Sequence, residues 1–211
     1  MIEIRESVYE KNLDKMLTYL RGRLDGMGFE QSQQALAFAI RMHDGIKRKD
    51  GSLYITHPVA MACFAIAHKG MSDEIIATIL LHDVCEDCNL SPSLLPANET
   101  VRYGVKLMTK IPFEDETKDE ERRRYFNGLL DSKEAIICKA FDRYDNLNSM
   151  EGVFEKKDIE KNVRETHDFL LPALKKAKYM YPELSDIFHI MRTMLKNTVK
   201  MLAYHYEIDL K

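Results

Sequence analysis

A chain of 211 residues, 45% hydrophobic and 31% charged, suits one soluble globular domain and is short for two full ones. It holds no long uninterrupted apolar run and no leader-like pattern in MIEIRESVYEKNLDKMLTYL, which speaks against membrane insertion and secretion. A net charge of −3 and a pI near 6.2 speak against general nucleic-acid binding, so an anionic substrate has to be held by a local cluster of cations.

The hydrophobic rhythm is helical almost throughout. Residues 9–27 carry Leu13, Met16, Leu17, Leu20 and Leu24 at helical spacing, and residues 30–43 repeat the pattern up to Gly45. The basic loop KRKDGSLYITH follows, with Asp50-Gly51 as its turn signal. Pro58 fits the first position of the next helix, PVAMACFAIAHKG, which stops near Gly70. One helix is predicted over 73–87, a break over SPSLLPANE, and a further helix over 99–109.

IPFEDETKDEERRR has no apolar stripe and reads as an exposed loop running into a helix. KEAIICKAFDRYDNL is helical, and two more helices fill most of 158–205. In the last of them Leu184, Ile187, Phe188, Met191, Leu195, Thr198 and Leu202 keep the i, i+3, i+4 rhythm. With no alternating strand and no repeat, the expected fold is all-α, a compact helical bundle with at most a minor β-hairpin. The four cysteines, Cys63, Cys85, Cys88 and Cys138, are too few for a disulfide scaffold in a chain of this length. They point to a reducing, cytoplasmic setting.

The informative stretch is ILLHDVCEDCNL. On a helical wheel, His82, Asp83, Glu86 and Asp87 share an arc with Ile75, Ile76, Ile79 and Leu80, and Cys85 and Cys88 fall on the other side. Carboxylates on a continuation of a core stripe need a positive partner. The helix offers no Lys or Arg, and a divalent metal meets the need, since His and Asp supply one nitrogen and one oxygen ligand side by side. Two outlying segments add candidates: His57, before Pro58 and free to reach inward, and Asp142, with Asn146 one turn further on the same face. Lys47, Arg48 and Lys49 form a dense cationic cluster close to His57. The remaining histidines, His43 among them, show no comparable local constellation and read as structural or surface residues. Cys85-x-x-Cys88 lacks a second pair.

The order His57, His82-Asp83, Asp142 resembles the H…HD…D signature of the HD metal-dependent phosphohydrolases. GIKRKDGSLYITHPVAMA resembles the R-x-x-G-x-x-Y-x-x-H-P-x-x-V-A segment of the RelA/SpoT family of alarmone hydrolases, LLHDVCEDC their LLHDVVEDT, MTKI their TK element, KAFDRYDNL their K-x-A-D-R-x-x-N, and RETHDFLLPAL their downstream ET…PLA helix. The likeness runs from about residue 31 to 175 within a single domain, residues 1–211.

The resemblance implies a manganese ion held by His57, His82, Asp83 and Asp142, with Glu86 and Asp87 as the acid/base pair around the attacking water. It implies that Arg48 stacks on guanine with Lys49 near the nucleotide, and that Tyr54 and Asn146 line the pocket; Lys47 joins the substrate-binding set as part of the cationic cluster. The implied reaction of the stringent response is removal of the 3′-pyrophosphate of guanosine tetra- or pentaphosphate, giving GDP or GTP. The chain departs from the family at Ser52-Leu53, where Glu-Pro is usual, and at Phe141 and Tyr144-Asp145, where Ala and Leu-His are usual. Its length leads to the expectation of a stand-alone small alarmone hydrolase, similar in layout to the metazoan SpoT homologue.

Rival readings are the same metal site used on the 2′-phosphate of NADPH or on a nucleoside triphosphate, and a nucleotide sensor without turnover. The enzyme could also serve as antidote to an alarmone-synthesising toxin. Tyr179–Tyr181 and the C-terminal helix leave open a homodimer surface.

Overall fold

Why the apolar run before His82 is so dense becomes clear in the computed structural model, which describes residues 12–111, 113 and 116–210. Among the described residues the chain is all-α, with no strand and one isolated antiparallel bridge, Lys47 to Leu53. It divides into two compact units, residues 1–109 and 110–211. No helix among the described residues is long and apolar enough to cross a membrane.

The first unit contains α1 (Leu13–Met27), α2 (Glu30–Met42), α3 (Thr56–Ala65), α4 (Asp73–Leu81), the single turn α5 (Val84–Asp87) and α6 (Glu99–Met108). The part of the first predicted helix at residues 9–11 lies outside the described residues. α1 ends where Gly28 takes φ +67, letting Phe29 donate back to the Leu24 carbonyl.

α4 is the centre of this unit. Every residue from Ile75 to Leu81 is buried, as a helix apolar on all sides must be, and α2, α3 and α6 pack around it. Truncating Ile76 or Ile79, both 0% exposed, to Ala would cost about 2–5 kcal/mol. The starts of α2 and α4 are tied by Asp73, whose carboxylate accepts from the backbone N–H of Gln31 (2.9 Å) and Ser32 (2.8 Å). These are donors that no turn of α2 can satisfy.

Two predicted boundaries shift. α3 begins at Thr56 and ends at Ala65, earlier than the pattern up to Gly70 suggests. The helix predicted over 73–87 is two segments, α4 and α5, separated by a turn at His82-Asp83.

The second unit contains α7 (Lys118–Gly128), α8 (Lys133–Ser149), α9 (Lys156–Glu165), α10 (Leu171–Met180) and α11 (Ser185–His205). α7 opens with a capping box: Thr117 N–H donates to the Glu120 carboxylate at 2.9 Å and Glu120 N–H to the Thr117 hydroxyl at 3.3 Å. Between α9 and α10 lies a π-helical turn, Thr166–Leu170. Pro172 accounts for it, since it has no N–H for the Asp168 carbonyl and its ring would crowd that oxygen in a regular helix. α8 packs against α10 and α11, with Ile136, Ile137 and Phe141 as its core.

Candidate metal centre

The turn after α4 builds the site. His82 keeps helical angles (φ −57, ψ −35), while Asp83 flattens to φ −100, ψ −8, near the sparsely populated bridge where active-site residues recur. His82, 2% exposed, donates from Nδ1 to the carbonyl of Ile79 at 2.8 Å. A carbonyl only accepts, so Nδ1 carries the proton and Nε2 is the nitrogen turned toward Asp83, 2.9 Å from Oδ2. His57, in the first turn of α3 and also 2% exposed, brings its Nε2 to 4.0 Å from the same oxygen. The His57 and His82 rings meet edge-on, centroids 5.3 Å apart.

One ligand atom from each of His57, His82 and Asp83 therefore lies within 4.8 Å of the others. The fit to a divalent cation rests on the chemistry of these atoms. With Nδ1 committed to Ile79, the His82 Nε2 lone pair and an Asp83 carboxylate oxygen face each other at 2.9 Å, a nitrogen and an oxygen ligand that a cation between them would satisfy together. The Nδ1–H···O=C contact is also the usual support that fixes a ligating histidine's tautomer and ring orientation.

Tyr54 closes one side, its hydroxyl donating to Asp83 Oδ2. It is set by the tight turn of the basic loop. Tyr54 N–H donates to Ile46 O (2.8 Å), Arg48 N–H to Ser52 O (2.8 Å), and Asp50 accepts from Ser52 N–H (2.9 Å). Gly51 at φ +85 makes the turn possible. Lys47 and Lys49 are exposed on it and Arg48 is half-buried.

The acids of α5 depart from the wheel. Glu86 and Asp87 are exposed, whereas Val84 and Cys85 are buried. The turn at His82-Asp83 resets the helical phase, so the stripe of α4 passes to Val84 and Cys85. Burial pushes the Cys85 thiol up to about 11, with the neighbouring Cys88 adding to the effect, which makes Cys85 a poor nucleophile.

In the second unit Asp142 is 4% exposed. One of its oxygens accepts from Lys139 Nζ and the other from the Asn146 amide, both at 2.6 Å. Burial works against the Lys139 ammonium, but Asp142 holds its pKa above the ordinary value. Arg143, next in the chain, is buried against Glu165 and Asn162.

One residue that the sequence reading set aside belongs beside this site. His43, at the end of α2, is 2% exposed, meets the Tyr54 ring at a tilt of 39° with centroids 4.7 Å apart and has Nε2 3.5 Å from Asp87 Oδ2. Its partners are remote in sequence, so no local spacing signals it.

A family model for the HD domain matches residues 35–172. The chain belongs to the HD domain family. Among curated relatives, this HD domain is 28% identical over 202 residues to the guanosine-3′,5′-bis(diphosphate) 3′-pyrophosphohydrolase of Aquifex aeolicus, covering 87% of this chain and 28% of that protein. It is 29% identical to a GTP pyrophosphokinase of Streptomyces coelicolor, covering 80% of this chain and 20% of that protein. It is also 29% identical to the bifunctional (p)ppGpp synthase/hydrolase SpoT of Escherichia coli, covering 66% of this chain and 21% of that protein. Within its family the HD domain is therefore of the RelA/SpoT type. The chain spans between 20% and 28% of the length of these relatives.

Proposed function

We propose that the protein is a manganese-dependent hydrolase that removes the 3′-pyrophosphate of guanosine tetra- or pentaphosphate, leaving GDP or GTP and releasing pyrophosphate. The observation that carries this reading is the convergence of His57, His82 and Asp83, with the His82 tautomer set by Ile79. Asp142 is the fourth ligand in the proposal. A divalent ion bound there supplies Lewis acidity to a phosphoryl oxygen and lowers the pKa of a bound water.

The chain's own residues do the rest. Glu86 and Asp87 form the acid/base pair: one carboxylate takes the proton of the attacking water, and a proton returns to the ribose 3′ oxygen as its bond to phosphorus breaks. Arg48 offers a planar face to the guanine, and its charge with those of Lys47 and Lys49 gathers the phosphates. Tyr54 and Asn146 line the nucleotide. The relatives named as 3′-pyrophosphohydrolases support the choice of substrate. The four free cysteines agree with a cytoplasmic enzyme.

Ion-exchange analysis of products tests the proposal. The manganese-loaded protein is offered ppGpp, pppGpp, NADPH and a panel of nucleoside triphosphates. GDP and pyrophosphate from ppGpp, and GTP and pyrophosphate from pppGpp, with NADPH and the nucleoside triphosphates left intact, are the expected result. Turnover of another nucleotide alone would overturn the alarmone assignment and keep the metal site, and binding of ppGpp without turnover would make the protein a sensor.

A further inference from the structure

His43 presents an anomaly that its place in the core does not explain. Both ring nitrogens are buried and neither has a hydrogen-bond partner, an arrangement that costs stability for each stranded polar group. Buried polar atoms in this state ask for a specific reason. Asp87 Oδ2 lies 3.5 Å from Nε2, slightly beyond a normal hydrogen-bond length. The ring also lies against Tyr54, whose hydroxyl is on Asp83.

The backbone around this pair is tied down. The Cys88 thiol donates to the Met42 carbonyl at 3.3 Å, joining the neighbour of His43 to the neighbour of Asp87. His43 itself donates its N–H to Ala39 O (3.0 Å) and accepts from Ile46 N–H (3.1 Å), so the imidazole is fixed at its root while Asp87 stands on an exposed turn. A fixed buried donor facing an exposed carboxylate is how a proton acceptor is aimed. Contacts of this kind are often long in the empty protein and tighten when substrate binds.

We infer that His43 is a positioning residue for Asp87, its Nε2–H closing onto Oδ2 to hold that carboxylate toward the attacking water, with Tyr54 bracing the ring from behind. The inference rests on the proposed role of Asp87 in hydrolysis and extends it to a residue outside the HD motif. It also gives the Cys88 thiol a structural task, tying the ends of α2 and α5.

The test pairs kinetics with spectroscopy on the full chain. His43→Phe keeps a ring against Tyr54 and removes the donor. It should lower kcat about tenfold to a hundredfold and leave KM and manganese affinity within about threefold of wild type, since neither ground-state binding nor the metal ligands are touched. His43→Gln, whose amide N–H can reach toward Oδ2, should recover most of the lost kcat. A Phe variant with full kcat overturns the inference, and so does a Gln variant as impaired as the Phe variant.

The second arm needs neither turnover nor the variants of His43. In protein labelled with nitrogen-15 at histidine, His43 should be the Nε2–H tautomer, and Asp87→Asn should displace its Nε2 resonance. An unmoved resonance overturns the inference even if the kinetics agree. If wild-type protein hydrolyses no nucleotide, the proposed function fails, and this arm still decides whether His43 engages Asp87.

Discussion

His82 donates its Nδ1–H to the carbonyl of Ile79 across 2.8 Å, so the last turn of the most buried helix in the first unit sets the tautomer of a candidate ligand. The apolar run and the motif after it are one device: the rigidity of α4 becomes the orientation of Nε2. Removing a ligand should therefore act on the metal first. Asp83→Asn and His57→Ala are expected to weaken manganese binding by at least about a hundredfold and to lose activity in parallel, measured by equilibrium dialysis beside turnover. Full activity in a metal-depleted variant would contradict the site.

Glu86 is expected to act on the proton and not on the ion. Glu86→Gln should retain manganese at wild-type stoichiometry and lower kcat by about 10²–10⁴. A fully active variant would reduce Glu86 to a bystander at the rim.

Arg48→Ala separates recognition from chemistry. With ppGpp the expected change is a KM raised about tenfold, of the order of one lost stacking or charge contact. With a small phosphodiester lacking guanine, the metal-dependent rate should hardly move. Equal losses on both would contradict a base-stacking role.

The buried pair Arg143–Glu165 predicts an acid sensitivity of the second unit. Burial alone would raise the Glu165 carboxyl, but Arg143 and Lys110 hold it down at about 2, against an ordinary value of 4.5. A depressed carboxylate stabilises the fold fully above the pH where the unfolded chain titrates. That stabilisation is lost as pH falls from about 4.5 toward about 2, and it amounts to about 3 kcal/mol. Glu165→Gln should destabilise the protein by about 3–5 kcal/mol at neutral pH, because Arg143 is left buried without its counter-charge. Urea unfolding from pH 7 to pH 3 checks this: the gap between wild type and variant should narrow as the pH drops.

The all-α fold was legible because the core of each helix repeats at helical spacing, as in α11, and because the SPSLLPANE break separates two such patterns, although Pro58 stands third in α3 and not first. That His57, His82 and Asp83 come together was arguable from His82-Asp83 only with the added weight of Glu86 and Asp87, and for His57 from its place before a proline. The break between α4 and α5 was not legible, since Asp83 and Val84 carry no helix-stopping signal, and the wheel therefore put Glu86 and Asp87 on the buried side. His43 was missed for a different reason. Its neighbours Tyr54 and Asp87 come from separate elements, and only folding brings them to one ring. Glu165 sat in a segment that resembled the family, yet its work on Arg143 needs the packing of α9 on α8 to be seen.

The most direct test of the central claim is a phosphorus-31 NMR time course of ppGpp with the manganese-free protein, before and after a catalytic amount of manganese is added. The account predicts no change before addition. Afterwards pyrophosphate and GDP should appear together in equal amounts, with no orthophosphate, and chelator should stop both. Stepwise release of orthophosphate, or turnover that persists in chelator, would contradict it.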